Sequence, residues 1–350
     1  MPNNLISQSN IVNPGQFYIL KESSIQYLIH NPKPLHQPTP KSIWIGRNSE
    51  DLQYWHQAVN CLEELKLPIE SKGRKVAILG YAGDEGVSRN QGRRGAAIGP
   101  IAIRKMMAPM AFHLPNEPQI FDLGDIVTLD NNMEESHHLI TETVSELLAN
   151  KVFPVLLGGG HDLAYAHGRG IFNHLKTKGE KLGIINLDAH FDLRPLVDGK
   201  GHSGSPFFQL ANDYTSDFHY LCLGLQRAAN PPALFETAKK LKVKWMEMED
   251  FTLPNWENIV LVLNDFCNSV NKIYMSIDLD GFSSAYAPGV SAPSPMGFSP
   301  ELAFKVFEWI ARSGKLISMD VVELNPEFDR DNGTARLAAR TVEYVLRNLF

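Results

Sequence analysis

The sequence predicts an α/β protein built on a mainly parallel central sheet with helices on both faces. Three observations carry this. Strand-like apolar runs alternate with helix-like segments along most of the chain. The runs are continuously apolar, as in LGIINL at 182–187, which is how strands covered on both faces read. Most runs end in a short polar or glycine-rich stretch, and helical patterns recur between them, the order expected of βαβ units.

Residues 1–42 are rich in Asn, Ser, Pro and Gln and read as a leading arm, with one ordered piece around Tyr18 to Leu28. Segment 31–41 contains four prolines and should be extended. Residues 49–65 are expected to be helical. Leu52, Trp55, Val59 and Leu62 recur at three- and four-residue spacing, with Ser49 as N-cap. KVAILGY at 75–81 is a strand that breaks into a glycine-rich loop. Helices are expected at 100–110 and 134–150, then a strand at 152–157 ending in three glycines. A helix at 163–178 and a strand at 182–187 follow, then strands at 220–225 and 273–277. A helix at 300–312, a strand at 316–322 and a helix at 334–348 close the chain. No internal repeat and no linker after residue 45 is evident, so 43–350 reads as one domain.

Composition excludes several classes. The 350 residues are 43% hydrophobic and 21% charged, ordinary for a globular protein with a large core. Asp plus Glu is 39 against 33 Lys plus Arg, a formal charge of −6. Nucleic-acid binding needs a basic face and is not expected. Cys61, Cys222 and Cys267 lie far apart, so neither a disulfide framework nor a CxxC site is available, which fits a reducing, cytoplasmic setting. The first residues lack a basic-then-apolar leader, and no apolar run approaches the roughly 18 residues of a membrane span.

Open α/β sheets place their sites at the carboxyl ends of strands. The strand at 152–157 leads to GGGHD, delivering His161. The strand at 182–187 leads to Asp188, His190 and Asp192. The strand at 273–277 leads to Asp278 and Asp280, and that at 316–322 to Glu323. In extended backbone, residues two apart point the same way, so each set should share a face. Asp188, Asp192, Asp278 and Asp280 crowded together repel unless cations lie between them. Two divalent ions balance four carboxylates, with two imidazoles completing the coordination. An oxygen-rich set with some imidazole suits Mn²⁺ better than Zn²⁺. Two metals about 3.5–4 Å apart can hold a water and acidify it toward hydroxide. GGGHD lacks the GxGxxG spacing of a dinucleotide loop.

These residues together resemble the ureohydrolases, the family of arginase, agmatinase and formimidoylglutamase. The resemblance rests on His161 in GGGHD, Asp188-Ala189-His190-Phe191-Asp192, Ser276-Ile277-Asp278-Leu279-Asp280 and Val322-Glu323-Leu324-Asn325-Pro326, in family order across roughly 76–346. It implies a three-layer α/β/α arginase-like fold and two Mn²⁺ per subunit. One ion would take His161, Asp188, Asp192 and Asp278, and the other Asp188, His190, Asp278 and Asp280, with Asp188 and Asp278 bridging. It further implies hydrolysis of a C–N bond in a linear amidine or guanidine, and a trimeric or hexameric homo-oligomer. Asp192, Glu323 and His202 would be catalytic. Glu323 would also pair with the substrate's cationic nitrogens, and His202 would supply the leaving amine's proton. Arg194 would hold a substrate carboxylate, a task suited to a planar guanidinium.

Within the family, the stretch 80–96 (GYAGDEGVSRNQGRRGA) and Trp44-Ile45-Gly46-Arg47 followed by Tyr54-Trp55-His56-Gln57 resemble formimidoylglutamases. Segment 287–293 (APGVSAP) departs from the segment usual in arginases and agmatinases. The implied reaction is N-formimidoyl-L-glutamate plus water to L-glutamate plus formamide, a step of histidine degradation. Arg89, Arg93 or Arg94 would join Arg194 on the two carboxylates. The alternatives are an arginase releasing urea from arginine, a zinc deacetylase of related fold, and a non-catalytic binding protein on the same fold.

Overall fold

Alternate residues of the central strands face opposite cores. Val76 and Ile78 enter one hydrophobic cluster, and Ala77, Leu79 and Tyr81 enter another, as the period-two geometry of extended chain dictates. A sheet with two apolar faces needs a helical layer on each, and both are present. A computed structural model describes residues 35–68, 73–176 and 178–350, which lie in one unit, Leu35–Phe350. The ordered piece expected near Tyr18 to Leu28 lies outside the described residues.

Among the described residues the sheet has ten strands. These are β1 (His36–Gln37), β2 (Val59–Cys61), β3 (Lys75–Ala82), β4 (Gln119–Val127), β5 (Val152–Leu157), β6 (Leu182–Leu187), β7 (His219–Leu225), β8 (Lys244–Glu247), β9 (Lys272–Asp278) and β10 (Leu316–Val322). Their order is β1-β4-β3-β5-β10-β9-β6-β7-β8, with β2 also on β4. The β1–β4 pairing is antiparallel and the others are parallel. The three-layer, mainly parallel expectation therefore holds. β5, β10, β9 and β6, the strands that carry the four motifs, are consecutive neighbours in the middle of the sheet.

In chain order the helices are α1 (Trp55–Ala58), α2 (Glu85–Arg89), α3 (Gly99–Met107), α4 (Met133–Ala149), α5 (Leu163–Lys176), α6 (Pro206–Asp213), α7 (Pro232–Lys240), α8 (Trp256–Asn268), α9 (Pro300–Arg312) and α10 (Gly333–Leu349). One layer is made by α3, α8, α9 and α10, through residues such as Ile103, Leu263, Val306 and Val342. The opposite layer is made by α4, α5, α6 and α7, through Val144, Ile171, Leu210 and Phe235. No helix among the described residues is long and apolar enough to cross a membrane.

The structure departs from the sequence reading on the β4 side of the sheet. The helix expected at 49–65 is confined to Trp55–Ala58, and the chain continues as strand Val59–Cys61. Ser49 is no N-cap; its carbonyl instead accepts from the Gln57 side chain. Leu52 is exposed while Trp55 and Val59 are buried. The apolar period is satisfied by one helical turn followed by a strand, because β4 offers an unpaired edge to Val59–Cys61. Residues 35–42, compositionally part of the leading arm, belong to this unit, with His36 and Gln37 paired to Ile126 and Asp125.

β4 itself carries no sequence expectation, since Asp122 and Asp125 interrupt its apolar run. Both acids meet Arg104 of α3, which is fully buried. Arg104 Nε and Nη2 donate to the two oxygens of Asp122 at 2.9 Å each, and Nη1 donates to Asp125. The Trp44 indole N–H also donates to Asp122, at 2.6 Å. Gly124, at φ 77°, lets β4 bulge where its register with β3 shifts. α6, α7, α8 and β8 were likewise not expected. Pro206 and Pro232 in the first turns of α6 and α7 are the start signals that could have shown two of them.

Candidate metal centre

The site is built on turns immediately beyond four strand ends. After β5, Gly158 N–H donates to Val321 O, Gly160 N–H donates to Gly83 O, and Gly159 O accepts from Glu323 N–H. A Cβ on Gly159 would lie 1.9 Å from Gly83 O, so this run of glycines is required by close backbone approach. His161 follows directly. After β6 the chain leaves extended geometry at Asp188, and Asp192 adopts φ 50°. The shared face expected from strand alternation at 188–192 is therefore produced by a turn. After β9, Asp278 Oδ1 accepts from Asp280 N–H at 2.8 Å, folding Leu279–Gly281 into a single 3₁₀ turn. Glu323 stands beyond β10 at φ 67°. Left-handed backbone is uncommon in non-glycine residues, and Asp192 and Glu323 both adopt it.

His161 Nδ1 lies 2.9 Å from Asp278 Oδ2, 3.0 Å from Asp192 Oδ2 and 3.3 Å from Asp188 Oδ2. His190 Nδ1 lies 3.2 Å from Asp280 Oδ2 and 3.4 Å from Asp188 Oδ1. The donor atoms form two groups, His161/Asp188/Asp192/Asp278 and Asp188/His190/Asp280, each with its atoms within 4.8 Å of one another. Asp188 belongs to both. Asp278, also expected to bridge, falls in the first of these groups, and its Oδ1 accepts from the Asp280 amide.

The set fits a pair of divalent cations. His161 Nδ1 is buried with three carboxylate oxygens about it yet has no hydrogen-bond geometry to any of them, and Asp280 Oδ1 is a buried oxygen without a partner. Buried polar atoms are otherwise nearly always satisfied. Several acceptors converging on a lone-pair nitrogen describe a coordination shell. The protonation tendencies agree. Burial disfavours charge on His161, but Asp188, Asp192 and Asp278 outweigh it and hold its pKa well above the ordinary value. Burial likewise opposes charge on His190, where Asp280 and Asp188 prevail. Burial and like charge push Asp278 up, and burial chiefly takes Asp280 to about 6. Burial also raises Glu323 to about 8, against the pull of a hydrogen bond from His161 N–H. Asp188 goes the other way, burial being outweighed by His161 and His190, which hold it well below the usual carboxylate range; without cations, protons rest on the other members, and cations would replace them.

A cavity of about 300 Å³ opens over this cluster, lined among others by His161, His190, Asp192, Asp278, Asp280, Glu323, Arg194 and Arg93. Glu323 Oε1 accepts from His161 N–H at 2.8 Å, which aims the carboxylate. Arg194 is exposed, and its Nη1 donates to Asn90 Oδ1 at 3.5 Å, on the cavity wall. Asn90 and Ser203, hydrogen-bonded to each other at 3.1 Å, line the wall and were not singled out from sequence.

The remaining expected residues are engaged elsewhere. Arg89 does not line the cavity; it donates to Glu85, Glu134, Gly201 O and Asn131 O and ties three loops together. Arg93 reaches the wall, but its guanidinium donates to Ser291 O and Val290 O and lies 3.7 Å from the Phe328 ring centre. Arg94 pairs with Asp84 and Glu85. His202 is buried and does not line the cavity. Its Nε2 donates to Pro195 O and its Nδ1 accepts from Gly204 N–H, so in this structure the ring ties its own loop. These partners are backbone groups and side chains from other loops, many of them distant in sequence, so no local motif announces them.

Residues 74–347 match the family described as the arginase family. The chain belongs to the arginase family. This arginase-family hydrolase is similar to enzymes named formimidoylglutamase. It is 36% identical to that of Clostridium tetani over 323 residues, spanning 89% of this chain and 95% of the relative. It is 40% identical to that of Chromobacterium violaceum over 314 residues, spanning 88% and 98%. Among solved structures, Trypanosoma cruzi formiminoglutamase with Mn²⁺ superposes with a TM-score of 0.70 at 28% identity, covering 79% of this chain and 93% of that one. The fold expectation and the family expectation are both met.

Proposed function

We propose that this chain hydrolyses N-formimidoyl-L-glutamate to L-glutamate and formamide, using two Mn²⁺ held by the residues at the strand ends. One observation carries the reading: two His/Asp donor groups sharing Asp188, the first of them buried throughout, floor a cavity with Arg194 at its wall, in a chain resembling named formimidoylglutamases along most of its length. His161, Asp188, Asp192 and Asp278 would hold one ion, and Asp188, His190 and Asp280 the other. When bound, the pair supplies a water acidified toward hydroxide.

The chain's own residues do the rest. Glu323, buried and aimed by His161 N–H, receives the cationic formimidoyl nitrogens. Arg194 takes a carboxylate of the glutamate portion in a bidentate bond. The glutamate nitrogen must gain a proton as its C–N bond breaks. Asp192 and Glu323 are cavity-lining carboxylates that can hold one. His202, with both ring nitrogens in backbone hydrogen bonds, is given no part.

The deciding measurement is a side-by-side assay of Mn²⁺-loaded protein with formimidoylglutamate and arginine. Formamide release without urea is expected. Urea from arginine with no formamide would overturn the proposal. Arg194→Ala should raise KM for formimidoylglutamate by about 10- to 100-fold, the worth of one charge-assisted carboxylate contact, with kcat little changed. An unchanged KM would remove Arg194 from the site.

A further inference from the structure

A chain of buried polar side chains runs beneath the cavity floor, outside both donor groups. His161 Nε2 lies 2.9 Å from Ser276 Oγ. Ser276 Oγ donates to Asp320 Oδ1 at 2.6 Å. Asp320 Oδ2 also accepts from Tyr274 OH and lies 2.7 Å from His167 Nδ1. His167 Nε2 reaches Ser318 Oγ at 2.6 Å, and Ser318 Oγ donates to Pro154 O at 3.1 Å. His167, Ser276, Ser318 and Asp320 are each fully buried. The chain joins β5, β9 and β10 to α5. Its far end is fixed by backbone, since Ser318 Oγ donates to the Pro154 carbonyl of β5. That backbone contact does not account for the buried carboxylate at 320.

Donor counting orders the protons. Ser276 has one hydroxyl hydrogen, and the facing Asp320 oxygen, on a carboxylate where Tyr274 and His167 also converge, is an acceptor. The hydroxyl hydrogen therefore points to Asp320, leaving Ser276 Oγ as acceptor toward His161. The hydrogen between His161 and Ser276 then belongs to His161 Nε2, and the lone pair of a neutral ring falls on Nδ1, the atom facing Asp188, Asp192 and Asp278. His190 has no comparable support: its ring is 24% exposed and its contacts are the carboxylates of the cluster itself.

We propose that Asp320, acting through Ser276, is a positioning residue that holds His161 in the Nε2–H tautomer and so presents Nδ1 to the ion of the first donor group. Groups that orient metal-bound histidines in this way typically alter metal affinity by 10- to 100-fold when removed. The inference rests on the two-ion reading, and it predicts that the two ions respond unequally.

The test is titration of metal-free protein with Mn²⁺, following the six-line EPR signal of free Mn²⁺, for wild type, Ser276→Ala and Asp320→Asn. The melting temperature of each metal-free protein is measured alongside. Wild type should bind two ions. Ser276→Ala should bind one ion as wild type does and the other about 10- to 100-fold more weakly, with little change in metal-free melting. Asp320→Asn should repeat the selective loss, and it decides the matter if Ser276→Ala does not fold. Two unaltered affinities, or equal weakening of both together with a lowered metal-free melting temperature, would overturn the proposal. A wild type binding fewer than two ions would sink the two-ion reading and this inference with it.

Discussion

Replacing Asp188 by alanine should empty both metal positions and lower turnover by ~10⁴-fold or more, equivalent to ~5.5 kcal/mol of transition-state stabilisation. The reason is geometric. Asp188 is the residue common to both donor groups. Its Oδ1 accepts from His190 N–H at 2.7 Å, and its Oδ2 accepts from the Asn186 amide at 2.9 Å while facing His161. Its loss removes a ligand from each group and frees the backbone of His190. Asp280→Ala is the control, since Asp280 groups only with His190 and Asp188 and its loss should spare the first ion. Metal content by atomic emission, measured with kcat, separates these outcomes. An Asp188→Ala protein that retains two ions would show that the bridging assignment is wrong. Ions held by the folded state alone would stabilise it, so chelation should lower the melting temperature of wild type and leave that of Asp188→Ala nearly unmoved.

Arg104→Met should destabilise the fold by about 3–5 kcal/mol without touching the site. Arg104 is fully buried and is the cationic partner of Asp122 and Asp125. Methionine matches much of its volume, so the loss is mainly the cost of two buried carboxylates left unpaired. The same bonds fasten α3, β4 and the Trp44 segment together, so the whole β4 side of the sheet depends on them. A fall in the urea midpoint at unchanged slope is the expected observation. Replacing Asp122 and Asp125 by Asn in the same chain should recover part of the loss, because the repelling charges are then removed. A change below about 1 kcal/mol would mean that the cluster is not isolated from water in solution.

These predictions fall on opposite sides of what the sequence discloses. The His/Asp cluster behind the first was legible. His161, Asp188, His190, Asp192, Asp278 and Asp280 each follow an apolar strand by a few residues, and a parallel sheet gathers such positions at one rim. The Arg104 cluster was not. Asp122 and Asp125 read as polar breaks in a run, and only the approach of α3 turns them into a neutralised core. Leu52, Trp55 and Val59 carried a genuine helical period, but the free edge of β4 drew Val59–Cys61 into a strand. Non-local backbone pairing outweighed a local preference.

The acidic balance of −6 illustrates the same division. Four of its carboxylates are gathered at one buried point, where two divalent ions would cancel them, so the charge describes a site more than a surface. The sequence by itself determined the α/β class, the central strands, the family and the donor set, because each is written in contiguous residues with a fixed period or spacing. Only the tertiary structure set Asp188 within 3.4 Å of both His161 and His190 and placed the Asp280 amide on Asp278. It likewise decided that Arg89 and His202 brace loops, and that Ser276 and Asp320 stand behind His161. Those roles depend on hydrogen bonds to groups that folding brings within about 3 Å, and a hydrogen bond is set by distance and angle in space, which no spacing along the chain encodes.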